Sequence, residues 1–163
     1  MIQVDNIEKI KQMNIRLANK FDLPYFTKLV HEIHKRGEIG DFPVKINDEY
    51  INAMFVSTIH GAGISLIAES DSTVGMLTAI ISPNIWSETT LVMNQILLYV
   101  DEEYRHTRAG YMLLKKYEEL CEELKSKGRI HYYTLNSAKS MFDLDFTRFG
   151  YTKIAETWAS LGE

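Results

Sequence analysis

The chain is short of the residues that build covalent or metal-held frameworks. Its only cysteine is Cys121, which excludes an internal disulfide and a cysteine-based zinc site and favours a reducing, intracellular setting. Its apolar runs are too short to span a bilayer, and the opening residues MIQVDNIEKIKQM lack the apolar core of a secretory signal. A basic excess is also missing: 22 acidic against 18 basic residues leave a net charge of −4. That balance argues against broad nucleic-acid binding and leaves room for a cationic ligand at an acidic mouth. No internal repeat or low-complexity segment is evident. What these absences leave is a cytoplasmic globular protein, and 163 residues at 45% hydrophobic content can bury a core without staples.

What is present reads as a single mixed domain, residues 13–163, behind a short N-terminal extension, residues 1–12. The extension carries Ile2, Val4, Ile7 and Ile10 among charges and suits a short amphipathic helix or a frayed end. Asn14 to Asn19 alternates and predicts a first strand. Asp22 is placed to cap a helix with Pro24 in its first turn, a core stripe of Phe26, Leu29, Val30 and Ile33, and a stop at Gly37. A loop, Gly37 to Lys45, follows. Asn47 or Asp48 then caps a second helix with Tyr50, Ile51, Met54, Phe55 and Ile59 at helical spacing. Ile64–Glu69 and Val74–Ser82 predict a hairpin, Pro83–Thr90 a loop with an exposed Trp86, and Leu91–Val100 a buried strand. A helix from about Arg108 to Lys127, with Met112, Leu113, Leu120, Cys121 and Leu124 on one side, leads to a strand at Ile130–Leu135. A helix across Ser140–Phe149 and a strand at Tyr151–Ala159 complete an α/β (α+β) fold. Its one parallel pair is expected in the strand–helix–strand unit near residues 91–135.

The chain is organised around residues 91–128. There a strand runs into a short turn, VDEEYRHTRAG, that carries Arg105, His106 and Arg108 at a helix start. Successive backbone N–H groups at such a start, with the helix dipole behind them, suit a phosphorylated ligand. The turn resembles the acyl-CoA site of GCN5-related N-acetyltransferases (GNAT). Their pattern is Arg or Gln, two residues, Gly, one residue, then Gly or Ala. Here it falls on Arg105, His106-Thr107, Arg108, Ala109 and Gly110, with Val100 and Tyr104 upstream. Arg108 replaces the middle glycine, and its guanidinium can itself donate to phosphate.

That resemblance implies a mixed central sheet of about six to seven strands flanked by about four helices. It also implies a sheet that splays beside the central strand. The backbone of Leu98, Tyr99 and Val100 would then bond the pantetheine arm and thioester carbonyl. Arg105, His106, Thr107, Arg108, Ala109, Gly110 and Tyr111 would cradle the pyrophosphate, and Asn136 would add a contact to the arm. The co-substrate implied is acetyl-CoA, with coenzyme A as product and no metal. The activity implied is direct acyl transfer to an amine of a small molecule or protein.

The catalytic positions depart from the family pattern. Where many members carry a glutamate on the central strand, this chain reads Met93-Asn94-Gln95. Asn94 or Gln95 can position a water but cannot take a proton. The usual tyrosine lies four residues before the glycine of a final Gly-Tyr pair, here Gly150-Tyr151, and that position is Phe146. The catalytic candidates are therefore Asn94, Tyr99 and Tyr133, with Tyr132 beside them; packing is the ordinary role of strand tyrosines. His31 and His34 lack the complete HExxH zinc motif and suit a solvated helix face. Asp143 and Asp145 have a sufficient explanation in capping. The resemblance implies an acceptor site shaped by the first two helices and their loop, about Tyr25 to Phe55, and by the last strands; Glu38, Asp41 and Tyr50 there suit a cationic or aromatic amine. A homodimer is allowed; nucleic acid and membrane are not expected partners. The alternative is an acyl-CoA-binding regulatory module without turnover, and a weaker one is an interaction domain using the N-terminus.

Overall fold

Period-2 side chains on three long consecutive strands give this chain a sheet buried on both faces. The computed structural model describes residues 13–37, 44–137 and 145–160. Strand β1 is Asn14–Leu17, helix α1 Leu23–Lys35, helix α2 Asp48–Ser57, and strands β2, β3 and β4 are Gly63–Glu69, Thr73–Asn84 and Ser87–Val100. Helix α3, Ala109–Ser126, crosses back to strand β5, Tyr132–Thr134. The strands lie in the order β1-β2-β3-β4-β5, antiparallel throughout except for the parallel pair β4–β5. A parallel pair needs a crossover, and α3 supplies it.

One core layer lies between the sheet and α3, built from Leu66, Leu77, Met93, Leu98, Val100, Leu113 and Tyr117 among others. The other lies beneath α1 and α2, where Phe26, Leu29, Ile33, Ile51 and Phe55 meet Ile67, Met76, Leu97 and Tyr99. Phe26 and Phe55 stack with ring centroids 4.7 Å apart, joining the two helices. Beside them, Thr58 and Ser65 hydroxyls lie 2.7 Å apart, and Ser65 Oγ donates to Thr78 Oγ1 at 3.2 Å, so these buried hydroxyls are satisfied.

Several expectations change. Among the described residues there are five strands and three α-helices, fewer than the six to seven and four expected. Tyr151–Ser160 is irregular, with Ile154 and Trp158 exposed, so no final strand forms there. Alternation specifies an extended shape but not a neighbour to pair with. The expected Pro83–Thr90 loop is instead mostly hairpin: Asn84 pairs with Ser87, and Asn84 Oδ1 accepts the Trp86 N–H at 2.9 Å. Tyr50, counted in the helical stripe, is exposed. On α3 the buried positions are Ala109, Leu113, Leu114, Tyr117 and Cys121, so the stripe lies one position from Met112. The extension 1–12, the loop residues 38–43 with Glu38 and Asp41, and 140–144 of the expected last helix with Asp143 lie outside the described residues. Phe146–Phe149 is a 3-10 turn, capped by Asp145 through the Thr147 N–H at 3.1 Å.

Asp22 is not a side-chain cap for α1. Its carboxylate accepts from Arg16 Nη1 and Nη2, both at 2.8 Å, and from the Asn19 N–H at 2.8 Å, while Arg16 Nε donates to Glu69 at 2.8 Å. Burial pushes the Asp22 carboxyl upward, but the Arg16 and Asn19 hydrogen bonds outweigh it and hold it below the usual range. Arg16→Ala is expected to cost about 2–3 kcal/mol in urea unfolding, because it strands a buried carboxylate. Because the folded value is depressed, the Asp22 contribution is full above about pH 4, the unfolded value. It is lost as pH falls through the folded value, and Arg16→Ala should flatten this acid limb.

Candidate functional site

The site is built where β4 loses its parallel neighbour. Thr78 pairs with Leu97 and Ala79 with Gln95, so Ile96 is an extra residue on β4, a bulge that bends the strand. On the other side, β5 pairs only with Val92, Met93 and Asn94. Beyond Asn94, Leu98, Tyr99 and Val100 keep their β3 partners Leu77, Met76 and Gly75 but have no β5 partner among the described residues. Tyr117, fully buried on α3, holds the last rung with its hydroxyl near Met93 O at 3.4 Å and Thr134 O at 3.1 Å.

The strand then ends in the basic turn. Asp101 N donates to Val74 O at 2.8 Å. Arg105 folds back so that its Nε donates to Val100 O at 3.0 Å, with its guanidinium 5.7 Å from the Tyr99 ring. Thr107 Oγ1 donates to Tyr104 O at 2.6 Å and accepts the Ala109 N–H at 3.2 Å. His106 and Arg108 are exposed and Ala109 is buried. The Arg108 guanidinium lies 5.6 Å from the Tyr111 ring, so the side chain in the middle-glycine position stacks along the helix. The first ordinary helical bond is Met112 N to Arg108 O at 2.8 Å. No acceptor among the described residues takes the Gly110 or Tyr111 N–H. These are the orphan donors of a helix start.

The candidate side chains are not brought together. Tyr99 points to the α1–α2 face, where its hydroxyl accepts from Arg36 Nη1 at 3.3 Å and faces the Asp101 carboxyl. Burial raises the Asp101 carboxyl above its ordinary range, Glu103 and Glu32 add to this, and the Tyr99 hydroxyl opposes it. Tyr133 lies across the sheet, donating to Glu122 Oε1 at 2.8 Å and meeting Tyr117 and Tyr151 edge-on at 5.9 and 6.0 Å. Burial and then Glu122 push its phenol upward. Asn94 Nδ2 donates to Ser82 Oγ at 2.9 Å and its Oδ1 accepts from Thr134 at 3.3 Å. Asn136 meets Gln95, and Tyr132 accepts from Asn84 at 2.8 Å. Phe146 packs edge-on against Tyr151 at 6.3 Å. His31 pairs with Asp48 at 2.5 Å on the helix surface. Cys121 is fully buried and burial pushes its thiol up to about 12, so it offers no nucleophile. Sequence reasoning missed Tyr117, Arg36 and Asp101; each acts through a partner distant in sequence or on another element.

No protein-family profile matches the chain, and no curated protein matches it. Solved structures do. A possible acetyltransferase from Clostridium difficile 630 superposes with a TM-score of 0.64 at 14% identity, over 93% of this chain and 98% of the other. A predicted acetyltransferase from Clostridium acetobutylicum, solved with acetyl-CoA, gives 0.63 at 20% identity over 92% and 96%. The chain has the GNAT fold. A transcriptional regulator from Bacillus halodurans shares it, with a TM-score of 0.62 at 19% identity over 91% and 98%. Among the described residues this fold has five strands, and the pairing of β4 with β5 ends at Asn94 and Thr134, ahead of the turn at Arg105.

Proposed function

We propose that the protein is an acyl-CoA-dependent N-acyltransferase, most simply using acetyl-CoA, that transfers the acyl group directly to an amine. One observation carries the reading: a strand without a β5 partner over Leu98–Val100 runs into a helix whose Gly110 and Tyr111 N–H groups have no acceptor among the described residues. The first feature suits the pantetheine arm and thioester, the second a pyrophosphate. The fold shared with a neighbour solved with acetyl-CoA supports the same co-substrate. In the reaction, the amine nitrogen attacks the thioester carbonyl carbon, the C–S bond breaks, the amine proton leaves and the CoA thiolate takes up a proton. An alkyl amine must first lose a proton at a cost of about 4–5 kcal/mol at neutral pH, whereas an unprotonated thiolate costs about 2 kcal/mol. A base therefore matters more than an acid, and Asn94 can position a water but cannot accept a proton. Calorimetric titration with acetyl-CoA and with CoA tests the reading. Micromolar binding of both is expected; no binding at hundreds of micromolar would sink it.

A second reading, an acyl-CoA-binding module without turnover, is favoured by the side chains at the two usual catalytic positions. Asn94 is tied to Ser82 and Thr134, and Phe146 has no hydroxyl. The transcriptional regulator of the same fold is consistent with it. Incubation with acetyl-CoA and a broad amine panel separates the two: acceptor-dependent release of free thiol marks the enzyme, and its absence despite binding marks the module.

A further inference from the structure

Gln95 is an amide in an apolar layer. It is 2% exposed, between Met93 and Leu98 in sequence, which both pack under α3. A buried amide without a partner costs about 1–3 kcal/mol, so its position demands a reason. That reason lies 41 residues away. The Asn136 N–H donates to Gln95 Oε1 at 2.8 Å, and Asn136 Nδ2 donates to the Gln95 main-chain carbonyl at 2.5 Å. Each bond joins one main-chain group to one side chain, where a continuing ladder would join main chain to main chain. An interposed side chain holds two strands farther apart than the ladder spacing of about 4.8 Å. The pair also sits at the point of divergence. Asn94 opposite Thr134 is the last rung, Tyr117 holds the carbonyls of Met93 and Thr134, and Ile96 is the bulge.

We infer that Gln95 and Asn136 form a clamp that sets the opening between β4 and β5, and are positioning residues for the acyl-bearing arm of the co-substrate. The inference rests on the acyl-CoA reading above. It gives Asn136 a task besides direct contact with the arm, because one of its two amide N–H groups is held by the Gln95 carbonyl. The clamp acts on the arm, whereas the pyrophosphate is served by the separate turn at Arg105–Tyr111.

The test compares two ligands, acetyl-CoA and the nucleotide half of coenzyme A, which carries the pyrophosphate without the arm. Their affinities are measured on the full chain, on Gln95→Met, on Asn136→Ala and on the double variant. Either single change is expected to weaken acetyl-CoA binding about 10-fold, and the double variant no further, because the pair works as one unit. Binding of the nucleotide half should stay unchanged, which a general loss of structure would not allow. Asn136 is exposed, so Asn136→Ala carries the test alone if Gln95→Met fails to fold. Additive losses, equal losses for both ligands, or unchanged acetyl-CoA affinity in folded variants overturn the clamp while the acyl-CoA reading stands. A wild-type chain that binds neither ligand overturns both.

Discussion

Gly110→Asp is expected to lower acetyl-CoA affinity about 100-fold while leaving the protein as stable as before or slightly more so. The two effects separate because the chain itself does not need glycine there. Gly110 is not among the glycines with positive φ, and an added Cβ would meet only a Val100 methyl at 3.8 Å, an ordinary contact. Glycine inside a helix costs about 1 kcal/mol relative to alanine, so its presence at the second helical position is otherwise unexplained. An aspartate in a first turn is favourable to the helix by about 0.3–1 kcal/mol. The same carboxylate about 5 Å from a phosphate charge costs on the order of 3 kcal/mol at an effective dielectric constant near 20. Titration calorimetry reads the affinity and a urea melt the stability. Retained affinity would remove the phosphate from this turn, and a large loss of stability would show that glycine serves the fold instead.

Gly63→Ala is expected to destabilise by about 3 kcal/mol, lowering the melting temperature by roughly 10 °C. Gly63 opens β2 with φ 177 and ψ −156, extended backbone open to any residue, so the cost is collision and not dihedral strain. A Cβ there would stand 2.1 Å from Ala79 O and 3.0 Å from the Ile80 Cα. Both are main-chain atoms of the paired strand β3, which cannot withdraw without losing register with β2 or β4. Gly128→Ala is the contrast: no atom lies within 4 Å of its Cβ, and φ +69 alone limits it. That change should cost about 1 kcal/mol, through left-handed backbone only. Equal melting temperatures for the two variants would show that β2 and β3 can separate at this end.

The parts legible in the sequence are those whose cause is local. The α1 stripe, the Asn47 cap on α2, the parallel pair across α3 and the turn from Arg105 to Gly110 each depend on residues a few positions apart. Their periods and spacings are therefore written in consecutive letters. The hairpin at Asn84–Ser87 was hidden because its turn, Ile85-Trp86, lacks the usual Asn-Gly signature. Asp22 read as a cap because nothing nearby announces Arg16 and Glu69 as its partners. Tyr99 and Tyr133 were equally good candidates until the sheet placed them on opposite faces.

By itself, then, the sequence determined that a strand, a basic turn and a helix start follow one another, and that a glycine stands where a ligand would approach. Tertiary structure alone decided where β5 stops pairing with that strand, at Asn94 and Thr134. The pairing of β4 with β5 ends beside a bulge at Ile96, the Tyr117 hydroxyl between the two strands and a Gln95–Asn136 pair 41 residues apart. A buried amide looks the same in a sequence whether or not a partner comes to meet it. Only the register of the surrounding strands settles which distant group does.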